Sequence, residues 1–199
     1  AMCRLYRNCG KQIYLDTARN ADGFIQTNLC DETGLYVSYR DGKQGVKGFL
    51  DDYAAYLFAQ LALYGATLEG NYLTQAERLY EEVWEKFWDS ENGGFYLYGT
   101  ESESLILRPK EDYDGAIPSG NSMMAWNLVR LSQLTGEEKY RHQAEEQLDF
   151  LAARARQYPI GHGMFLLALL DSETPPAKVT VVLGGGESAA ELPLKLPPD

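Results

Sequence analysis

The chain has 199 residues, 45% of them hydrophobic and 24% charged, the composition of one soluble globular domain with a real core. Its net charge is −11, and residues 51–199 carry 11 Lys/Arg against 24 Asp/Glu, so no basic stripe is offered to nucleic acid. The longest apolar run, Met164 to Leu170, falls far short of the ~20 residues that span a bilayer. No charged-then-apolar leader opens the sequence, and the odd set Cys3, Cys9 and Cys30 reads as free thiols, which together point to the cytoplasm.

Read in chain order, two kinds of helical segment alternate. Ala1 to Tyr6 have the register of the end of an apolar helix, and residues 10–29 form a weak amphipathic one. Residues 30–48 are a long connection with a strand-like piece, Leu35 to Tyr39. Residues 53–68 are apolar nearly all round, which predicts a helix buried on most sides. After the short link Glu69-Gly70-Asn71, residues 72–89 place Tyr72, Ala76, Leu79, Tyr80, Val83 and Phe87 on one stripe with acidic residues around it. Residues 90–118 are a second long connection with strand-like pieces at 94–98 and 104–108. Then come a buried helix over 122–134, a short link, an amphipathic helix over 138–157 and an apolar one over 163–170. Residues 175–199 read as a separate tail with one strand at 178–183, leaving 1–174 as the helical domain.

The array is internally repeated. Tyr14, Tyr72 and Tyr140 each precede Ala18, Ala76 and Ala144 by one turn, at offsets of 58 and 68 residues, and Leu63 matches Leu131. A unit of about 60 residues with two helices is longer than the common helical repeats. It predicts an all-α fold of αα-hairpins, about half of an (α/α)6 toroid, with short β-hairpins in the long loops. Inner helices ring a cavity, outer helices wrap them, and the first inner helix begins beyond the sequence. The long loops gather at the N-terminal ends of the inner helices. Loops of this length in a domain are usually functional, so that end is the expected site. The uncovered flanks of a half ring, Leu5 on one side and Phe165, Leu166 and Leu169 on the other, predict self-association into a dimer.

Candidate residues fall on those loops and helix starts. Asp51 and Asp52 open the 53–68 helix, either as acid–base carboxylates or as helix caps. Arg108, Lys110, Glu111, Asp112 and Asp114 put five charges within seven residues. Ser119 can cap the next inner helix, whose free amides, with Asn121 beside them, suit an anionic or polyhydroxylated ligand. Tyr36, Tyr39, Tyr53, Phe95, Tyr96, Tyr113 and Trp126 supply aromatic faces on which sugar rings stack. Ser119 lacks a hydrolase elbow, and Gly184 to Ala189 has too little chain after it for a dinucleotide fold. His142 with Glu145 and Glu146 has no second ligand cluster, so neither metal nor cofactor is expected.

Gly48-Phe-Leu-Asp-Asp-Tyr-Ala54, Phe87-Trp-Asp followed by Gly-Gly-Phe95, and above all Asp114-Gly-Ala-Ile-Pro-Ser-Gly-Asn-Ser122 carry a family resemblance. Over about residues 10–185 the chain resembles the C-terminal part of the spermatogenesis-associated protein 20 family, once labelled a domain of unknown function. The resemblance implies an N-terminal thioredoxin-like domain joined to an (α/α)6 domain similar to six-hairpin glycosidases and N-acylglucosamine 2-epimerase. It implies that the chain's partners are the rest of that ring and the thioredoxin-like domain. The epimerases' histidine site has no counterpart, since His142 lies on an outer helix and His162 follows a turn. Two functions stand open. One is a carbohydrate-active domain binding its ligand at the toroid mouth, with Asp52, Asp112 and Asp114 catalytic and Asp51, Tyr53, Arg108, Lys110, Ser119 and Asn121 binding. The other is a non-catalytic scaffold packed against the thioredoxin-like domain. Convergence of Asp52 and Asp114 on one open pocket favours the first; helix capping favours the second.

Overall fold

A computed structural model describes residues 1–101 and 108–174. The strands expected within 104–108 and at 178–183 fall in whole or in large part outside the described residues. The described residues contain seven α-helices: α1 (Met2–Cys9), α2 (Gln12–Asn28), α3 (Leu50–Thr67), α4 (Gly70–Phe87), α5 (Gly120–Thr135), α6 (Glu138–Ala155) and α7 (Gly163–Glu173). The inner helices α1, α3, α5 and α7 pack side by side, and α2, α4 and α6 each lie against the inner helix before them. This is an αα-hairpin array, about half of an (α/α)6 toroid. Among the described residues no helix is long and apolar enough to cross a membrane.

The periodicity accounts for the layering. The buried residues of α4 are Tyr72, Ala76, Leu79, Tyr80, Val83 and Phe87, the stripe expected from sequence. α3 and α5 bury eight and nine residues on more than one side, as helices between two neighbours and an outer helix must. α2 has little apolar surface to offer and buries Leu15 and Asp22. It docks through Asp22 instead, which accepts the Tyr56 hydroxyl at 2.9 Å and the Gln60 amide at 2.6 Å from α3.

The repeat extends to hydrogen bonds. Thr67 donates its hydroxyl to the Leu63 carbonyl and accepts the Glu69 amide; Thr135 does the same with Leu131 and Glu137. These threonines stop α3 and α5 and hold the short links, so each outer helix starts within three residues. The long loops carry less strand than expected. β1 (Cys30–Asp31) pairs with β2 (Gly34–Leu35), and β3 (Tyr39–Arg40) with β4 (Lys43–Gln44). The 94–98 piece is an irregular segment with one bridge, Trp88 to Phe95. Within it Asn121 accepts the Phe95 amide and donates to the Phe95 carbonyl, and Leu97 donates its amide to the Pro109 carbonyl.

Candidate functional site

The N-terminal ends of α3, α5 and α7 lie on one face, as the toroid register requires, because two aspartates tie them together. Asp51, in the first turn of α3, accepts the Gly120 amide of α5 at 2.7 Å. Asp114 accepts the Ser119 amide at 2.9 Å through Oδ1, and the Met164 amide of α7 at 2.7 Å and that of Phe165 at 3.3 Å through Oδ2. Ser119 caps α5 by accepting the Ser122 amide at 3.2 Å. Free amides at helix starts attract anionic acceptors, and here the protein provides its own.

Close approach makes Gly120 obligatory at this junction. A Cβ there would stand 2.4 Å from Asp51 Oδ1 and 2.8 Å from Leu50 Cγ. Gly120→Ala is therefore expected to lose the Asp51 cap and push α3 from α5, costing about 2 kcal/mol. A urea midpoint unchanged from the parent would disprove this account of the junction.

The remaining candidates are engaged in contacts of their own. Asp52 accepts the Phe49 amide at 2.8 Å and caps its own helix. Asp112 pairs with Arg154 of α6 and lies 3.9 Å from His162 Nε2. Lys110 reaches Asp89 at 2.6 Å, and Arg108 donates to the Tyr98 carbonyl at 2.7 Å with its guanidinium over the Tyr96 ring. Tyr53 is buried, its hydroxyl accepting the Leu35 amide. Asn121 has no exposed surface: it accepts the Phe95 amide and donates to the Phe95 and Glu111 carbonyls. So Asp51, Asp114 and Ser119 meet at the starts of α5 and α7, while Asp52, Asp112, Arg108, Lys110, Tyr53 and Asn121 are engaged by other partners.

Among these groups Asp51 keeps a distinct electrostatic character. Burial raises its carboxyl pKa, Glu111 and Asp52 add repulsion, and the Gly120 amide opposes the rise. Glu111 is exposed beside it. From Asp51 the half-exposed stripe of α3 continues along the concave face through Ala55 to Phe58. Phe58 meets Trp126 of α5, with ring centroids 4.6 Å apart and planes tilted by 40°. The Arg130 guanidinium lies over Trp126 at 5.4 Å and 3.7 Å from Asp171 of α7. Seven residues of helix separate Asp51 from Phe58, so the aromatic pair sits about 10 Å below the mouth.

Two features escaped the sequence. Phe58 and Arg130 lie in apolar-rich helices, and nothing local shows that their stripe is the one no outer helix covers. His162 reads from sequence as a residue that follows a turn, yet it stands at the start of α7, at the mouth end. It is buried, its Nδ1 2.9 Å from the Tyr158 carbonyl and its Nε2 without a hydrogen bond among the described residues. Among the described residues no cluster of three or more metal-ligating side chains occurs.

Comparison with known proteins agrees with the architecture. No family model matches the chain. It is 37% identical over 138 residues to spermatogenesis-associated protein 20 of Rattus norvegicus and 36% identical to the Homo sapiens protein of that name, covering 69% of this chain in each case. The matched region is 17% of the length of either relative. Among solved structures, a GH76 alpha-mannanase of Bacteroides thetaiotaomicron superposes with a TM-score of 0.66 at 17% identity, over 85% of this chain and 48% of that one. The cellobiose 2-epimerase of Spirochaeta thermophila superposes at 0.60 with 21% identity, over 74% of this chain and 39% of that one.

Proposed function

Because the chain belongs to the spermatogenesis-associated protein 20 family and has the six-hairpin glycosidase-like fold, we propose that its concave face binds a carbohydrate-type ligand at the toroid mouth. The observation that carries this reading is the Phe58–Trp126 pair lying half-exposed below Asp51. A sugar ring buries its C–H face on such a surface while its hydroxyls find polar partners. Arg130 and Asp171 supply donors and acceptors on one side, and Asp51 and Glu111 on the other. The proteins that share the fold are described as an alpha-mannanase, a cellobiose 2-epimerase and a D-mannose isomerase, which sets the probes to use.

In this reading Asp51 is the acid–base group, ahead of Asp52, Asp112 and Asp114, which are engaged with backbone amides or Arg154. Its raised pKa holds a proton at higher pH than an ordinary aspartate, which general-acid work needs. Mannose, mannobiose and cellobiose are expected to give a saturable change in tryptophan fluorescence. Trp126→Ala should weaken that binding at least tenfold, or about 1.4 kcal/mol. If none of the three sugars produces a saturable signal, the carbohydrate reading of this face is rejected.

A second reading has one specific observation in its favour. Asp52 and Asp114, expected to be catalytic, and Lys110 and Asn121, expected to bind ligand, hold helix ends and loops together. That arrangement suits a non-catalytic scaffold docked on a thioredoxin-like domain. It expects silence from the sugars and tight association with that domain supplied separately.

A further inference from the structure

The outer surface of the array carries a second, unassigned feature. Between α4, α6 and the turn after α4 lies an open groove of about 570 Å³. Trp84 and Trp88 form one wall, stacked with centroids 4.2 Å apart and planes only 17° from parallel. Phe150 forms the opposite wall, and Ser90 to Gly93 close one end. The volume lies within the range of small-ligand sites.

The charges that line this groove have one sign. Glu91, Glu146 and Asp149 are all exposed in it, and the cations nearest to it, Arg154 and Lys110 at 4.1 and 5.3 Å over the Phe150 ring, are already paired with Asp112 and Asp89. His142 stands beside Glu146 at 3.7 Å, on the same helix. The end wall is rigid, since Asp89 accepts the Glu91 amide at 3.0 Å and that of Asn92 at 3.3 Å, while Lys110 holds the Gly93 carbonyl. Gly94 is packed under the Phe150 ring, where a Cβ would come within 2.5 Å of it. A preformed groove loses less on binding than one that must order first.

Both tryptophans sit off the buried stripe of α4 and remain half-exposed. Flat indole faces bordered by carboxylates recognise one chemistry best: a planar cation that stacks on the rings and donates paired hydrogen bonds to the acids. A neutral sugar would stack on the same rings and donate hydroxyls to the acids, but would leave their three negative charges uncompensated. An ammonium would meet the charges but lacks a planar face.

We propose that the groove between α4 and α6 docks an arginine side chain presented by an extended segment of a partner polypeptide. The site lies on the opposite side of the inner helices from the concave face, so it is independent of the carbohydrate reading. The test is titration of the peptide acetyl-Gly-Arg-Gly-Arg-Gly-amide into the protein at low salt, alongside the same peptide with citrulline or lysine for arginine. Saturable binding by the arginine peptide is expected, several-fold weaker for lysine and lost for citrulline, which keeps the shape but not the charge. Glu91→Gln with Asp149→Asn should weaken binding at least tenfold; both residues are exposed, so the protein remains folded. Trp88→Ala should do the same if it folds, and the carboxylate variant decides the matter if it does not. Equal binding of the citrulline peptide, equal binding by the carboxylate variant, or displacement by mannobiose but not by free arginine would overturn the proposal.

Discussion

Replacing Asp89 with alanine is expected to cost about 4 kcal/mol and to reduce the protein's acid sensitivity below pH 4. The carboxylate is buried and carries five contacts: Lys110 at 2.6 Å, the Tyr96 hydroxyl at 2.7 Å, the Asn92 side chain, and the Glu91 and Asn92 amides. Lys110 would be left in a buried position facing no counter-charge, and removing one member of a buried pair typically costs 3–5 kcal/mol. The turn that positions Gly93 and Gly94 against Phe150 would lose its template at the same time.

The pH dependence follows from the same contacts. The Lys110 ammonium, more than any other neighbour, holds the Asp89 carboxyl far below its ordinary value of 3.8. A carboxyl lowered in the folded state contributes stability that is present above its unfolded pKa and is lost as pH falls towards the folded one. The loss therefore begins near pH 4 and grows on further acidification. Denaturant midpoints measured at pH 7, 4 and 3 should fall steeply for the parent and much less for Asp89→Asn. Parallel lines for the two proteins would show that another carboxylate governs acid unfolding.

Which parts of this were legible in the sequence depends on how far apart the interacting residues are. The stripe of α4, the apolar surround of α3 and α5 and the threonine-stopped links are local patterns, and each helix formed within a few residues of its expected ends. Helix capping by Asp52 is also local, three residues from its partner. The Asp51–Gly120 contact joins positions 69 apart, and Asp114 reaches Met164 across 50. No sequence pattern distinguishes a carboxylate aimed at a ligand from one aimed at the start of a distant helix. Asn121 shows the same ambiguity: a polar residue near a helix start looked available to a ligand, yet it is the fully buried link between α5 and the Phe95 loop. Trp84 and Trp88 lie outside the core stripe of α4, and no sequence pattern shows that they stack on each other and stay exposed enough to line a groove.

Asp114 is where the two functional readings of the chain part most sharply. A carboxylate that only contacts ligand can be removed with little effect on stability, under about 1 kcal/mol at a surface position. Here one side chain caps two inner helices, with Oδ1 on the Ser119 amide and Oδ2 on the Met164 and Phe165 amides. A lost cap costs about 1 kcal/mol for each helix, and a buried amide left without an acceptor adds about 1 more. Asp114→Ala is therefore expected to lose about 3 kcal/mol. Asp114→Asn should recover little of it, because its amide group turns a donor towards one of the two helix starts. The loss should be localised: hydrogen exchange at Met164 and Phe165 should quicken more than exchange in the middle of α4, since α7 is a short helix whose Leu166, Leu167 and Leu170 are exposed. A variant with parental stability and unchanged exchange at α7 would return Asp114 to the mouth as a ligand-facing group. On the proposed carbohydrate reading, that outcome leaves Asp51, whose Gly120 contact uses one oxygen and whose pKa is raised, as the acid–base candidate.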